Sequence, residues 1–296
     1  MPTYTKQSDA VQKIQVESHL IYAIWSQPRA HAEQETGVEV RTSFVGEGAK
    51  IKITCYTEKG KKLDKIEGTV LNNRYKGRVV IPDKVKPDDM IYFEAELPKH
   101  GLKGESNLIP VRPAIQVTKI ELDRQEVKRE EVVTMTCRFK DGVMDGDEAT
   151  VIIYEHNPNS CDLKVVAIPT TIKDNKVEMQ WEFDYQDSTD QIPTDEEMKP
   201  YQKKYANPRF YFVVLVDGIR IGEKKESGLL VFKETVEIVY SEETGIPIGD
   251  INYLLHLPDG AQRKGTLDDR GYAKEENVIP GKVKVEFLDD EGVAPL

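Results

Sequence analysis

Residues able to carry acid–base or nucleophilic chemistry are scattered along this chain and form no motif. Five histidines stand singly, at positions 19, 31, 100, 156 and 256. No serine lies in a G-x-S-x-G turn, and no H-E-x-x-H or cysteine–histidine grouping occurs. His256 alternates with Leu255 and Leu257 in a strand-like run, so we expect it on the opposite face, as a surface or hydrogen-bonded histidine. The spacing predicts no catalytic residue, no metal site and no cofactor, and therefore a protein that is not an enzyme.

The cysteines predict a reducing compartment. Three cysteines cannot all pair within one chain, and Cys55, Cys137 and Cys161 match no C-x-x-C metal pattern. Cys55 and Cys137 lie in alternating strand-like runs, where a small buried thiol is the ordinary residue. Cys161 follows a polar loop at 157–160, so we expect it to be exposed.

Residues 184–209 concentrate acidic side chains. Asp184, Asp187 and Asp190 recur every third residue, and carboxylates are the ligands of calcium sites. No glycine or spacing of a known calcium loop accompanies them. A solvated loop is therefore the favoured interpretation.

Four tyrosines fall in or beside the same segment. Because β-sandwiches often bind sugars through exposed aromatic rings, carbohydrate binding is an alternative function, although packing is the ordinary role of such residues. Two or more coplanar, exposed rings would favour the sugar-binding alternative. The four residues are Tyr185, Tyr201, Tyr205 and Tyr211.

Length and composition predict three domains. One hydrophobic core rarely serves 296 residues, and 39% hydrophobic with 31% charged residues suits several small units. The net charge of −11 argues against nucleic acid or an anionic membrane surface as a partner. The start of the chain lacks the basic and apolar runs of a secretory signal, and no run is long enough to predict membrane insertion.

The elements that must position any site are short β-strands. His19–Trp25 is predicted to be the first strand, with Trp25 as a core or interface anchor. Apolar residues alternate from Val38 to Phe44 and from Ile51 to Cys55, with hairpin glycines between the two runs, and Ile91–Leu97 forms a strong late strand. Strands of this length, with turns about every ten residues, are typical of an immunoglobulin-like sandwich.

An internal repeat predicts a second sandwich of the same type. Four short blocks recur in the same order: Thr42–Phe44 with Cys137–Phe139, Ile51–Ile53 with Val151–Ile153, Asn72-Asn73 with Asp174-Asn175, and Ile91–Phe93 with Phe210–Phe212. The second copy is lengthened by the insertion 184–209. Within this insertion, Thr194 and Glu197 have the spacing of a capping box, which predicts one short helix.

The stretch Ile246–Phe287 has the pattern of a complete small β domain. Turn residues at Pro258-Asp259-Gly260, Asp268–Gly271 and Pro280-Gly281 separate alternating strands. The sequence therefore predicts an all-β chain of two tandem immunoglobulin-like β-sandwiches and a small β domain. The predicted segments are a flexible arm at 1–18, sandwiches at 19–112 and 113–233, and the closing domain at 234–290.

The closing stretch resembles a known family. Its blocks Tyr253–Gly260, Lys264–Asp268, Gly271–Ala273 and Ile279–Gly281 are similar to small transthyretin-like β domains. Such domains end the valine-glycine repeat spike proteins of type VI secretion and occur in related phage-tail-like contractile injection systems. The spike's own oligosaccharide-binding-fold region and valine-glycine β-helix have no counterpart in this sequence.

The resemblance implies an accessory role and protein partners. We expect a non-enzymatic adaptor, tip decoration or carried cargo that binds spike, tube or baseplate components. It also implies the bacterial cytoplasm, or export as part of an injection particle. The alternatives are a secreted effector or carbohydrate-binding sandwich with its site in 184–209, and a soluble scaffold unrelated to injection machines. The partner and the oligomeric state are left open.

Overall fold

A computed structural model describes residues 14–288, and nearly every regular element within them is a β-strand. The predicted all-β class is confirmed. Most of the predicted arm at 1–18, and the residues after Leu288, lie outside the described part of the chain. The chain divides into two compact units, residues 1–115 with 217–219 and residues 116–216 with 220–296.

The first unit contains a β-sandwich. Its strands are β1 (His19–Trp25), β2 (Ala30–His31), β3 (Glu35–Ser43), β4 (Ala49–Thr57), β5 (Lys62–Val70), β6 (Arg74–Val80), β7 (Met90–Leu97), β8 (Leu102–Glu105) and β9 (Ile109–Arg112). They form one sheet ordered β1-β3-β6 and a second ordered β2-β9-β7-β4-β5, with β8 also paired to β7. A 3-10 helix, Pro98–His100, joins β7 to β8. Residues from both sheets form a single buried cluster.

Alternation decides which side chains enter this core. Val40 on β3 and Ile53 on β4 are fully buried, since successive side chains of a strand point to opposite faces. Trp25 packs edge-on against Phe93 of β7 with ring centroids 4.9 Å apart, which confirms its predicted role as a core anchor. Burial of each such large side chain contributes about 1.5–3 kcal/mol.

Two predictions about the first sandwich are wrong. Phe44 was expected to extend the buried alternation, but β3 ends at Ser43 and Phe44 is 60% exposed, with φ of 54°. Gly46 and Gly48 do not close a hairpin. Because β3 and β4 belong to different sheets, their turn carries the chain from one sheet to the other.

The second unit begins with a sandwich of the same topology. Its strands are β10 (Gln116–Leu122), β11 (Glu126–Val127), β12 (Val132–Asp141), β13 (Glu148–His156), β14 (Leu163–Thr171), β15 (Lys176–Glu182), β16 (Arg209–Val216), β17 (Ile219–Ile221) and β18 (Leu230–Phe232). The sheet orders are β10-β12-β15 and β11-β18-β16-β13-β14, with β17 also paired to β16. Each strand thus has the same neighbours as its counterpart nine places earlier, which confirms the tandem repeat. The glycines at 142 and 146 likewise lie between strands of different sheets.

The repeated turns follow from local chemistry. Asn72 and Asn73 have φ of 50° and 56°, and Asp174 and Asn175 have φ of 51° and 52°. Asn and Asp adopt this left-handed region more readily than other non-glycine residues. Both tight turns were predicted, and paired backbone bonds between Leu71 and Arg74 and between Lys173 and Lys176 close them. The prediction that they form hairpins is wrong, because the strands on either side of each turn belong to different sheets.

The hydrogen-bond register corrects part of the predicted alignment. Thr42 N donates to Asn73 O and Phe139 N donates to Asn175 O, so Thr42 corresponds to Phe139 and not to Cys137. The Ile51–Ile53 block is also two residues out of register, in the opposite direction, because Tyr56 and Tyr154 are equivalent and Ile51 therefore corresponds to Ala149. Short apolar blocks match equally well after a shift of two residues, because the strand period is two.

A tyrosine pair recurs on the outer face of the larger sheet. Tyr56 lies opposite Tyr92 on β4 and β7, and Tyr154 lies opposite Tyr211 on β13 and β16. In each pair the ring centroids are 5.5 Å apart and the ring planes are nearly parallel. These pairs fix the residue-by-residue correspondence of the two sandwiches.

The second unit ends in the closing domain. Its strands are β19 (Glu234–Val239), β20 (Asn252–His256), β21 (Gln262–Thr266), β22 (Tyr272–Val278) and β23 (Lys284–Leu288), in sheets β19-β22 and β21-β20-β23. Tyr253, Leu255 and Ile238 lie in one buried cluster of this domain. Among residues 14–288, no helix has the length and apolar character needed to cross a membrane.

Candidate functional site

A cleft of about 400 Å³ lies at one corner of the second sandwich. One wall is the end of β13 and the turn after it, residues 155–160. The other wall is the insertion that precedes β16, including Tyr185, Asp187, Lys203 and Asn207. The extra chain between β15 and β16 in the second copy therefore forms one side of the cleft.

The insertion holds its shape through short-range hydrogen bonds. Its one helix, α1 (Asp195–Met198), begins after Thr194, whose side chain accepts from Glu197 N while Thr194 N donates to the Glu197 carboxylate. The predicted capping box and helix are confirmed. Asp195 Oδ1 also accepts from Tyr205 N at 2.8 Å, which folds the end of the insertion back onto α1. A 3-10 helix lies on either side of α1, at Thr189–Gln191 and Lys199–Tyr201.

The same insertion is bonded to the closing domain. The Tyr205 hydroxyl donates to Pro280 O at 2.7 Å, and Asp195 N donates to Pro258 O at 2.7 Å. Lys282 Nζ lies 2.6 Å from the Glu197 carboxylate. Burial raises the pKa of Tyr205 far above its usual range, so its hydroxyl remains a donor at neutral pH. The insertion thus contacts both the cleft and the turns of the closing domain.

Two carboxyl groups give the cleft its electrostatic character. Glu155, at the end of β13, is half-buried, and no described side chain donates a hydrogen bond to it. Its burial and the charge of Asp187 raise its pKa above the usual value. Burial, reinforced by these two carboxylates, also raises the pKa of Tyr185 to about 12. The site is therefore rich in oxygen atoms and short of cations.

Asn207 adds an unused acceptor. Its Nδ2 donates to Phe232 O at 3.1 Å, whereas its Oδ1 is buried and has no hydrogen-bond partner among the described residues. An unsatisfied buried polar atom costs about 1–3 kcal/mol and is uncommon in native proteins. Asn207 is one of the residues that line the cleft.

A separate hydrogen-bonded network rigidifies the wall formed by the 155–160 turn. Asp162 accepts from His156 Nδ1 at 2.8 Å and from the Tyr211 hydroxyl at 2.8 Å, and lies 3.3 Å from Lys225 Nζ. Burial favours the protonated carboxyl, but these bonds and that from Asn157 N outweigh it and hold the pKa of Asp162 well below its usual range. His156 therefore binds the Asp162 carboxylate at the wall of the cleft, which it also helps to line.

The three insertion aspartates do not meet. Asp187 lines the cleft, Asp184 accepts a hydrogen bond from Gln186 Nε2 at 2.6 Å, and Asp190 lies in the 3-10 helix Thr189–Gln191. All three are exposed. Within the described residues, no three His, Cys, Asp or Glu side chains are grouped to hold a metal ion.

The four tyrosines do not form an exposed aromatic platform. Tyr201 is 72% exposed. Tyr211 is buried against Tyr154, Tyr185 packs on Phe232 with centroids 5.1 Å apart, and Tyr205 donates to the closing domain. The expectation that most of these rings serve packing is confirmed.

Other predicted positions agree with the structure. Cys55 and Cys137 are buried, and burial raises the pKa of each thiol to about 12, whereas Cys161 is exposed. His256 lies on the outer face of β20, with Nε2 3.1 Å from the Glu286 carboxylate.

Among the residues that line the cleft, Glu155 was not predicted from the sequence. When the two copies are aligned on their tyrosine pairs, Glu155 corresponds to Thr57 of the first copy.

No protein-family model matches this sequence, and no curated protein matches it. Solved structures similar to the chain include trypsin-activated α2-macroglobulin from Escherichia coli, at 9% identity and a TM-score of 0.27, covering 92% of this chain and 23% of that one. A second is a tetra-tandem repeat from the extending region of a large adhesion protein, at 10% identity and a TM-score of 0.27, covering 91% of this chain and 73% of that one. A third is the D1–D4 ectodomain fragment of ICAM-5, at 10% identity and a TM-score of 0.28, covering 90% of this chain and 76% of that one. The chain spans about a quarter of the length of the macroglobulin. At these TM-scores the likenesses carry no argument about function.

Proposed function

We propose that this chain is a non-enzymatic, protein-binding component of a contractile injection or type VI secretion apparatus. It would act as an adaptor, a tip decoration or carried cargo, with spike, tube or baseplate proteins as partners. The link to such an apparatus rests on the resemblance of Ile246–Phe287 to the small β domains that end spike proteins. The comparisons with known proteins supply no such link.

One observation carries the binding role: the insertion is bonded at the same time to the second sandwich and to the closing domain. Tyr205 and Asp195 donate to Pro280 and Pro258 of the closing domain, and Asn207 Nδ2 donates to Phe232 O of β18 in the sandwich. A loop fixed at both sides presents its free polar groups with little loss of conformational entropy on binding. Such preorganisation suits recognition of a partner surface.

The test is co-purification with purified spike, tube and baseplate proteins. Deleting Ser241–Leu296 should abolish association if the closing domain docks the chain. That deletion also removes Pro258 and Pro280, the acceptors for the insertion, so a point variant must accompany it. Tyr205→Phe removes one hydrogen bond between the insertion and the closing domain and keeps that domain. Unchanged association of the deletion variant would refute a docking role for the closing domain.

Carbohydrate binding is a second candidate, favoured by one observation. A polar cleft of about 400 Å³ stands in the insertion and has the size of a small-ligand pocket. The packed positions of Tyr185, Tyr205 and Tyr211 weigh against stacking on sugar rings. A glycan array probed with the intact chain separates the two candidates. Glycan binding lost in Asp187→Asn and retained in Asp184→Asn would favour this second function.

A further inference from the structure

The cleft of the second sandwich has a counterpart in the first. There, a smaller hollow of about 200 Å³ lies between the turn after β4 and the chain that precedes β7. The two hollows occupy the same corner of the same topology, because β4 and β7 correspond to β13 and β16. The fold itself therefore creates a recess at this corner, and the side chains decide what the recess attracts.

The charge of the recess differs between the copies. In the first sandwich Lys59, Lys61 and Lys84 line it, together with Glu58 and Asp89. In the second sandwich the lining carboxylates are those of Glu155 and Asp187, and the lining lysine is Lys203. Each recess is thus lined by two carboxylates, but the first has three lysines beside them and the second has one.

One substitution within the repeat accounts for the central carboxylate. Tyr56 and Tyr154 hold equivalent positions, opposite Tyr92 and Tyr211. The next residue in the first copy is Thr57 and in the second copy Glu155. A neutral hydroxyl at the end of β4 is therefore replaced by a half-buried carboxyl at the end of β13.

The free atoms of the cleft are hydrogen-bond acceptors. Glu155 and Asp187 have no donor among the described side chains, and Asn207 uses its amide nitrogen but not its oxygen. The guanidinium of Arg129 lies over the ring of Tyr185, 5.8 Å from its centroid, and donates to Tyr185 O. That cation is therefore already engaged, and a group entering the cleft must bring its own donors.

We propose that this cleft binds an alkylammonium or guanidinium group, presented as a lysine or arginine side chain of the partner protein. A cationic donor pairs with Glu155 and Asp187 and offers several N–H groups to the unused acceptors. The inference rests on the proposed protein-binding function and specifies the chemistry of the contact. Lys203 lies at the rim, is exposed, and has no ion pair among the described residues, so it opposes an incoming cation.

The experiment titrates the intact chain with three short peptides, acetyl-Gly-Lys-Gly-amide, its arginine analogue and its glutamate analogue, and with 1,4-diaminobutane as the free-amine probe. Binding is followed by NMR shifts of cleft amides. We expect both cationic peptides to bind with millimolar affinity, and the glutamate peptide to cause no shift. Diaminobutane binding more tightly than both peptides would identify a small amine as the ligand and overturn the choice of a protein side chain.

Variants within the chain assign the effect to the cleft. Glu155→Thr, the residue that the first copy has, and Asp187→Asn should each weaken peptide binding about fivefold, and Lys203→Met should strengthen it about twofold. Asp190→Asn makes the same charge change within the insertion but outside the cleft lining, and should change binding less than twofold. Because Asp187 is exposed, its variant folds even if Glu155→Thr does not. Equal weakening by Asp190→Asn, or no shift of cleft amides with either cationic peptide, would overturn the inference.

The peptide titration and the co-purification test the cationic contact and the proposed function separately. Capture of purified spike, tube or baseplate protein without any peptide binding would overturn the cationic contact and leave the proposed function standing. Peptide binding without capture of any of those proteins would leave the cleft chemistry standing and overturn the proposed function.

Discussion

Tyr205→Phe tests the bond between the insertion and the closing domain. The substitution removes one hydroxyl, which donates to Pro280 O at 2.7 Å, and keeps the aromatic ring in place. Pro280 is buried, so its carbonyl oxygen is left without its protein donor. Such a loss costs about 1–3 kcal/mol, and since the ring still packs we expect a loss in the lower half of that range, about 1.5 kcal/mol.

The assay is amide hydrogen exchange of the intact chain, read by mass spectrometry on peptides from 194–205 and 272–288. A loss of about 1.5 kcal/mol should speed exchange roughly tenfold for amides that open through this contact. Peptides from the first sandwich should be unaffected, because the contact lies within the second unit.

Tyr201→Phe is the matched control. Tyr201 lies in the same insertion, is 72% exposed and has no hydrogen bond from its hydroxyl among the described residues, so we expect a change within about 0.5 kcal/mol. If Tyr205→Phe leaves exchange in both segments unchanged, or if the control has the same effect, the Tyr205 hydroxyl does not hold the insertion to the closing domain.

Three further predictions concern stability and reactivity. Hydrogen bonds hold the pKa of Asp162 low, so its carboxylate stabilises the fold above an unfolded pKa of about 3.9 and loses this effect as pH falls through the folded pKa. Asp162→Asn should therefore lower the free energy of unfolding by about 1–3 kcal/mol at pH 7 and by less near pH 2, measured by urea denaturation; an effect independent of pH would contradict this. Asn72→Val places a β-branched residue at φ of 50° and should cost about 1–2 kcal/mol, whereas Asn72→Gly should be nearly neutral; equal effects in thermal denaturation would contradict the turn assignment. In the native chain at pH 8, Cys161 should react with a maleimide while Cys55 and Cys137 react after unfolding; rapid native labelling of more than one thiol would refute their burial.

Features that depend on neighbouring residues could be predicted from the sequence. The Asn72-Asn73 turn follows from the backbone preferences of asparagine, and the Thr194–Glu197 capping box from the geometry of a first helical turn. The repeat was readable because Ile91–Phe93 and Phe210–Phe212 share a pattern of large apolar residues. The repeat predicted the correct strand order, but the blocks at Thr42–Phe44 and Ile51–Ile53 were aligned out of register.

Features made by tertiary packing could not be predicted in this way. Glu155 and Asp187 belong to different segments and meet because the insertion folds over the end of β13. The bond from Tyr205 to Pro280 joins a loop of the sandwich to a turn of the closing domain, and neither partner has a local signal. Phe44 was misplaced for a related reason, since alternation does not show where a strand leaves its sheet.

The most direct test of the proposed function is a quantitative binding measurement between the intact chain and each purified spike, tube and baseplate protein of the injection apparatus in the cell that makes the chain. The account predicts saturable binding to at least one of them, lost on deletion of Ser241–Leu296 and weakened in Glu155→Thr. No binding to any of these proteins at concentrations of tens of micromolar would contradict it.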